Sequence, residues 1–335
     1  MDHETALRLA NVAGNKVLQF HYNREFTAPK PTPPAGSLFH YTTAEGLKGI
    51  IEENELWAPS AYFLNDSAEI TYGYGLLKEV LDEWIAKNPR EGDSLSLGLA
   101  RDFQRSFGKD LFNMGVIKPI YLVCFCEDDN LLSQWRTYGQ SGGYSIGLTF
   151  QSDKIHQGMR PEPNIYTGKW VKVDYDRDAQ HKKCWAILDS VLPIFDDADT
   201  ARAIATVGSH GVLGYSAIRT IISDILLEEI VGFKNKAFEV EKEWRIVVRQ
   251  RELLKQGTDD TGKTSPPVYF RSSKGMLVPT KPDEGLPIVC VRTGPTLDKT
   301  TAGMAVRMLL DDNGFCNVNV ERFCLYTGPQ NSAIL

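Results

Sequence analysis

The stretch Phe238-Glu239-Val240-Glu241-Lys242-Glu243-Trp244-Arg245-Ile246-Val247-Val248 alternates carboxylates with mostly apolar residues, the period of two expected of a β-strand. In a strand over residues 239–249, Glu239, Glu241 and Glu243 share one face, successive members lying about 6.5 Å apart. Phe238, Val240 and Trp244 take the other face, which Lys242 interrupts. Like charges on one face repel and call for compensation by water, by Lys or Arg, or by a cationic ligand. Arg245 continues the acidic face, where it can offset that charge or meet a phosphate. A solvated edge strand has the same pattern; the sharper reading is a catalytic carboxylate with a helper.

Around this stretch the chain reads as strands with helices set between them. The apolar run 118–126 is rich in β-branched and aromatic residues and reads as a buried strand, and 38–41, 56–62, 144–150, 268–271, 288–292 and 318–325 read as further strands. Thr42 or Thr43 caps a helix reaching about residue 54, and the turn Asn65-Asp66-Ser67 caps a longer one through Leu76, Val80 and Trp84. Helices are also expected at 4–20, 94–107, 131–138 and 301–312, residues 176–231 read as mostly helical, and 257–267 as a polar loop. This order favours α+β over a regularly alternating α/β sheet. The expected organisation is an N-terminal helix and Pro-rich linker over 1–36, then one domain over 37–335 with a helical insertion at about 160–231.

With 335 residues and 42% hydrophobic content, the chain can bury one large core or two modest ones. It has no run of 18 apolar residues, and its start, Met1-Asp2-His3-Glu4, is acidic where an export signal is basic, so no membrane span is expected and the cytoplasm is the expected compartment. A net charge of −6 argues against broad electrostatic binding to nucleic acid, while leaving room for a local basic strip. Six cysteines without a CxxC pair suit reduced core thiols. Cys124 and Cys126 share a strand face and read as packing residues.

Among residues able to carry chemistry, His40 stands in Phe39-His40-Tyr41-Thr42, at the end of a strand and before a capped helix. A neutral imidazole there can hold a ribose hydroxyl, or be a satisfied structural histidine. A metal site would add Asp66, Glu69 or the carboxylates of 239–243, but the spacing matches no ligand motif. Trp135 and Tyr138 fall on one helical face, as a core pair or as a platform for a cationic pyridinium ring. The chain has no GxGxxG opening a helix, no P-loop and no GxSxG, so Rossmann, kinase-type and serine-hydrolase chemistries are not indicated.

Taken together, His40-Tyr41-Thr42, Leu64-Asn65-Asp66-Ser67-Ala68-Glu69, Phe125-Cys126-Glu127 with Trp135 and Tyr138, and Glu241-Lys242-Glu243-Trp244-Arg245 resemble a large bacterial family with the motifs HYT, LNDxxE, FSE…WxxY and ExEWR. That family in turn resembles the ADP-ribosyltransferases. The resemblance spans about 38–326 and implies a split, mixed β-sheet around an NAD cleft. It implies NAD as substrate, no metal, and transfer of ADP-ribose to an unknown acceptor, protein or nucleic acid, in a toxin, effector or phage-defence enzyme. Glu243 takes the position of the catalytic carboxylate and Glu241 that of the residue orienting the acceptor. His40 is a ribose ligand lining one cleft with Glu243; Thr42 and Arg245 are further cofactor contacts, and Tyr41, Tyr62, Trp135 and Tyr138 compete for stacking on nicotinamide. The family's middle-strand Ser is Cys126 here, which also fits a different class of protein, a non-catalytic nucleotide- or protein-binding module.

Overall fold

The structure, a computed structural model, describes residues 2–24, 31–61, 68–89, 94–106, 120–138, 143–150, 166–207, 215–250, 269–271, 275–280, 285–295 and 298–322. The acidic stretch is not one strand. Lys236–Glu241 forms a short 3-10 helix, and the strand begins only at Glu243. The reversal starts at Asn235, whose side chain accepts from the Ala237 N–H (2.9 Å) while its carbonyl accepts from Phe238 (3.0 Å), an Asx turn that competes with extended backbone. It ends at Lys242, whose φ of +42° is left-handed, a rare conformation for a residue with a side chain. The expected faces are inverted as a result. Val240 is 61% exposed and Phe238 38%, and Glu239 is exposed, while Glu241 and Glu243 are buried.

The chain divides into two compact units where the sequence suggests one domain with an insertion. One comprises Pro31–Phe63, Ile120–Lys172 and Val240–Leu335. Its strands are β1 (Ser37–Thr42), β2 (Leu56–Pro59), β3 (Ile120–Cys126), β4 (Tyr144–Thr149), β5 (Tyr166–Lys172), β6 (Glu243–Gln250), β7 (Tyr269–Arg271), β8 (Gly275–Thr280), β9 (Ile288–Thr293) and β10 (Asn319–Arg322). Seven form an open mixed sheet in the order β10-β9-β4-β1-β3-β6-β5, with β10 parallel to β9 and the remaining pairs antiparallel. A separate three-stranded sheet runs β2-β8-β7. Two strands depart from the sequence reading: β5 lies where helix is expected, and β8 is not anticipated.

One face of the larger sheet carries the unit's core. Leu38, Tyr121, Val123, Phe125, Ile146, Leu148, Trp170, Trp244, Ile246 and Val248 pack there with the inner faces of α2 (Ala44–Glu53) and α9 (Lys299–Asp312). The cap of α2 is Thr43, which accepts from the Gly46 N–H (3.2 Å), and the helix ends at left-handed Asn54. Helix α5 (Leu132–Tyr138) covers part of the opposite face, joining a smaller cluster of Tyr41, Cys126, Leu131 and Trp135. β1 meets β3 at one paired position, Phe39 with Cys126, whereas β3 and β6 pair along seven.

The second unit comprises Met1–Lys30, Leu64–Pro119 and Val173–Glu239. Its helices are α1 (His3–Tyr22), α3 (Ala68–Lys87), α4 (Leu95–Ser106), α6 (Arg177–Val191), α7 (Ala198–Val207) and α8 (Tyr215–Ile230). Ala6, Ala10, Ala13 and Val17 form the buried stripe of α1, whose N-terminus is capped by Asp2. Gln180 is fully buried and bonded on both sides of its amide: Tyr72 donates to it (2.8 Å), and its nitrogen donates to the Asp174 (2.5 Å) and Lys234 (3.0 Å) carbonyls. Among the described residues no helix is long and apolar enough to cross a membrane.

Burial pushes the Cys184 thiol in α6 from its ordinary value near 9 up to about 12, with the charge of Glu229 acting in the same direction. The unfolded chain then loses this proton before the native one does, so native stability is expected to fall as pH rises from about 9 toward 12. Urea unfolding between pH 8 and 10 checks this: the alkaline loss should be smaller in Cys184→Ala, and an equal slope in both proteins would place the loss elsewhere.

Candidate functional site

Glu243 opens β6 and Arg245 follows it on the same face. Their side chains are 4% and 2% exposed, and the guanidinium grips the carboxylate with two bonds, Nε to Oε1 at 2.7 Å and Nη2 to Oε2 at 3.1 Å. A carboxylate and guanidinium in this fork are held in both position and orientation. Glu241 is also buried, and Lys242 between the two glutamates is left-handed and exposed. Thus the two carboxylates of Glu-x-Glu are inward-facing, through a helix-to-strand turn and not through strand alternation. Arg245, buried against Glu243, offsets the acidic charge there.

Strand pairing fixes the company each residue keeps. Cys126 pairs with Glu243 on one side and Phe39 on the other, so these three share a sheet face. His40, the next residue on β1, pairs with core residue Ile146 and sets its ring 5.8 Å from Phe125, on the opposite face. The backbones are two strand spacings apart, about 10 Å, but the expected cleft lined by both His40 and Glu243 is not formed by one face. Strict alternation along β1 and β6 is the physical reason. The His40 Nδ1 donates to the Cys124 carbonyl at 2.9 Å, since a carbonyl can only accept. The histidine thereby bridges β1 and β3 where their ladder is reduced to one pair.

Three of the aromatic candidates, Tyr41, Trp135 and Tyr138, fall on Glu243's side of the sheet. Tyr41 and Trp135 meet edge to face at 5.0 Å and 79°, both buried, and Tyr138 packs half-buried against them. The Tyr41 hydroxyl donates to the Asp128 carbonyl and accepts from the Leu131 N–H, each at 3.0 Å. Burial raises its pKa, opposed by the Leu131 bond. Trp135 and Tyr41 are therefore a core pair holding the segment after β3. Thr42 is buried on His40's side, paired with Tyr144. Tyr62, Asp66 and the turn Asn65-Asp66-Ser67 lie outside the described residues. Among the described residues no group of three or more His, Cys, Asp or Glu could hold a metal ion.

Several contributors have no expected role in the sequence reading. Glu127 accepts from the Trp244 indole N–H (2.9 Å) and pairs with Lys172 (3.4 Å), whose ammonium lies 5.4 Å from the centre of the Trp244 ring. Asp129 and Glu321 both pair with Arg292 on β9. Burial raises the Asp129 pKa while Arg292 opposes it. The acidic run Glu127-Asp128-Asp129 is the sequence signal for this strap across the sheet, though its partners are distant in the chain.

Residues 134–246, about a third of the chain, match the model of a family described as "Protein of unknown function (DUF2971)". The matched segment runs from α5 through Glu243 and Arg245. Comparison with curated proteins and with solved structures gave no match.

Proposed function

We propose that the protein is an NAD-dependent ADP-ribosyltransferase, or an NAD glycohydrolase when water is the acceptor. The observation carrying this reading is the pair of buried carboxylates Glu241 and Glu243, at the start of the strand that adjoins β3 and lies one strand from β1. Its further support is the resemblance of the four motifs to a bacterial family that in turn resembles that class, with His40, Cys126 and Glu243 on three adjacent strands. Glu243, ionised beside Arg245, accepts a hydrogen bond from the ribose 2′-OH as C1′ becomes oxocarbenium-like. The C1′–N bond breaks, its electron pair leaves with neutral nicotinamide, and the acceptor adds at C1′ as Glu241 takes the acceptor's proton. His40 acts in this scheme by fixing β1 against β3.

Incubation of the purified protein with NAD tests the reading: free nicotinamide is the expected product, with ADP-ribose on a co-expressed macromolecule or in solution. A second reading, a nucleotide- or protein-binding module, is favoured by the face separation of His40 from Glu243 and by the engagement of both Glu243 oxygens with Arg245. NAD binding by the folded protein without nicotinamide release would select it.

A further inference from the structure

We propose that Arg245 is a positioning residue that keeps Glu243 ionised and aimed. It resides beside the carboxylate without being a ligand of the substrate. The inference deepens the transferase reading, but its central observable does not require turnover.

The geometry assigns this role through burial and shape. An ionised carboxylate in so enclosed a place takes up a proton unless a partner compensates it. Arginine stays charged under all ordinary conditions, and its planar fork matches both oxygens at once. The bonds at 2.7 and 3.1 Å come from Nε and Nη2, the edge-on approach that engages one acceptor direction on each oxygen.

On β3 the neighbours opposite Glu243 and Arg245 are the thiols Cys126 and Cys124. On β5 the residue opposite Arg245 is Val171, and α5 contributes Trp135 and Tyr138 to the cluster over Cys126. On the preceding turn Glu241 is a second buried carboxylate, which adds to the need for positive charge, and Lys242 is exposed.

Infrared difference spectra of the folded full-length protein, recorded at pH 7, separate the possibilities. Arg245→Met should show a protonated-carboxyl C=O stretch that disappears in Arg245→Met/Glu243→Gln, and nicotinamide release should fall by about 10²-fold, the scale of a misplaced catalytic group. A folded Arg245→Met with Glu243 still ionised overturns the proposal. Arg245→Lys serves if the Met variant fails to fold: it keeps the charge and loses the fork. It should leave Glu243 ionised and still lower nicotinamide release, and wild-type rates across the pH profile would overturn the orienting role. If wild type releases no nicotinamide, the transferase reading fails, while the C=O band still decides whether Arg245 holds Glu243 in its charged form.

Discussion

Glu243→Gln is expected to reduce nicotinamide release and ADP-ribosyl transfer together by roughly 10²- to 10⁴-fold, the range for loss of a positioned acid or base. The amide preserves size and one acceptor oxygen but removes the negative charge facing C1′ as the oxocarbenium ion develops. The same change leaves Arg245 buried beside a neutral group. Breaking a buried ion pair from one side costs up to about 3–5 kcal/mol, far more than an exposed Glu→Gln change on a strand. Folding must therefore be verified by circular dichroism, and Glu243→Gln/Arg245→Met supplies a variant with neither charge. Glu241→Gln should behave differently, sparing slow NAD hydrolysis while lowering transfer, because its proposed partner is the acceptor. Equal losses of both activities in Glu241→Gln would move Glu241 onto NAD itself. Unchanged nicotinamide release in a folded Glu243→Gln would remove the carboxylate from the mechanism.

The contrast between these two glutamates also marks how far sequence periodicity reaches. From Trp244 onward the alternation describes β6 well: Trp244, Ile246 and Val248 are in the core, and Arg245 is on the Glu243 face. Before it, the pattern is misleading because period-two spacing records composition, while Asn235 and the left-handed Lys242 decide the backbone. An Asx turn at Asn235 was available as a local signal; the left-handed Lys242 was not, since lysine has no preference for it. The helices were legible for the opposite reason. In α1 and α2 the spacing of Ala6, Ala10 and Ala13, and of Leu47, Ile50 and Ile51, agrees with local caps at Asp2 and Thr43. Strand order is a different matter, because β3 pairs with β6 across more than 100 residues, and nothing local encodes which face of β1 will meet which face of β6. The opposition of His40 and Glu243 follows from that register, as do the contacts of Glu127 with Trp244 and of Asp129 with Arg292.

Trp244→Ala is expected to destabilise the protein by about 3–5 kcal/mol, the usual cost of removing a large aromatic from a core. Trp244 is 3% exposed, lies opposite Phe125 on β3 and Lys172 on β5, and meets the Trp170 ring at 6.5 Å and 75°. Its truncation leaves a cavity on the core face of β6, opposite the face of the Glu243–Arg245 pair, and removes the donor to Glu127. The Lys172–Glu127 ion pair contributes little to this figure, because Lys172 is mostly solvated and such pairs are worth at most about 1 kcal/mol. Trp244→Phe keeps one aromatic ring and loses the indole N–H with the rest of the bicycle, so its cost should lie between about 1 kcal/mol, the worth of one hydrogen bond, and that of Trp244→Ala. Urea unfolding of the three proteins at pH 7 measures both differences. A loss below about 1 kcal/mol in Trp244→Ala would mean that β6 is anchored elsewhere, and that the position of Glu243 does not depend on the core beneath it. If the larger loss is found, Trp244 fixes the strand from one face while Arg245 fixes the carboxylate on the other, so the two side chains that follow Glu243 in the sequence hold it through opposite sides of the same sheet.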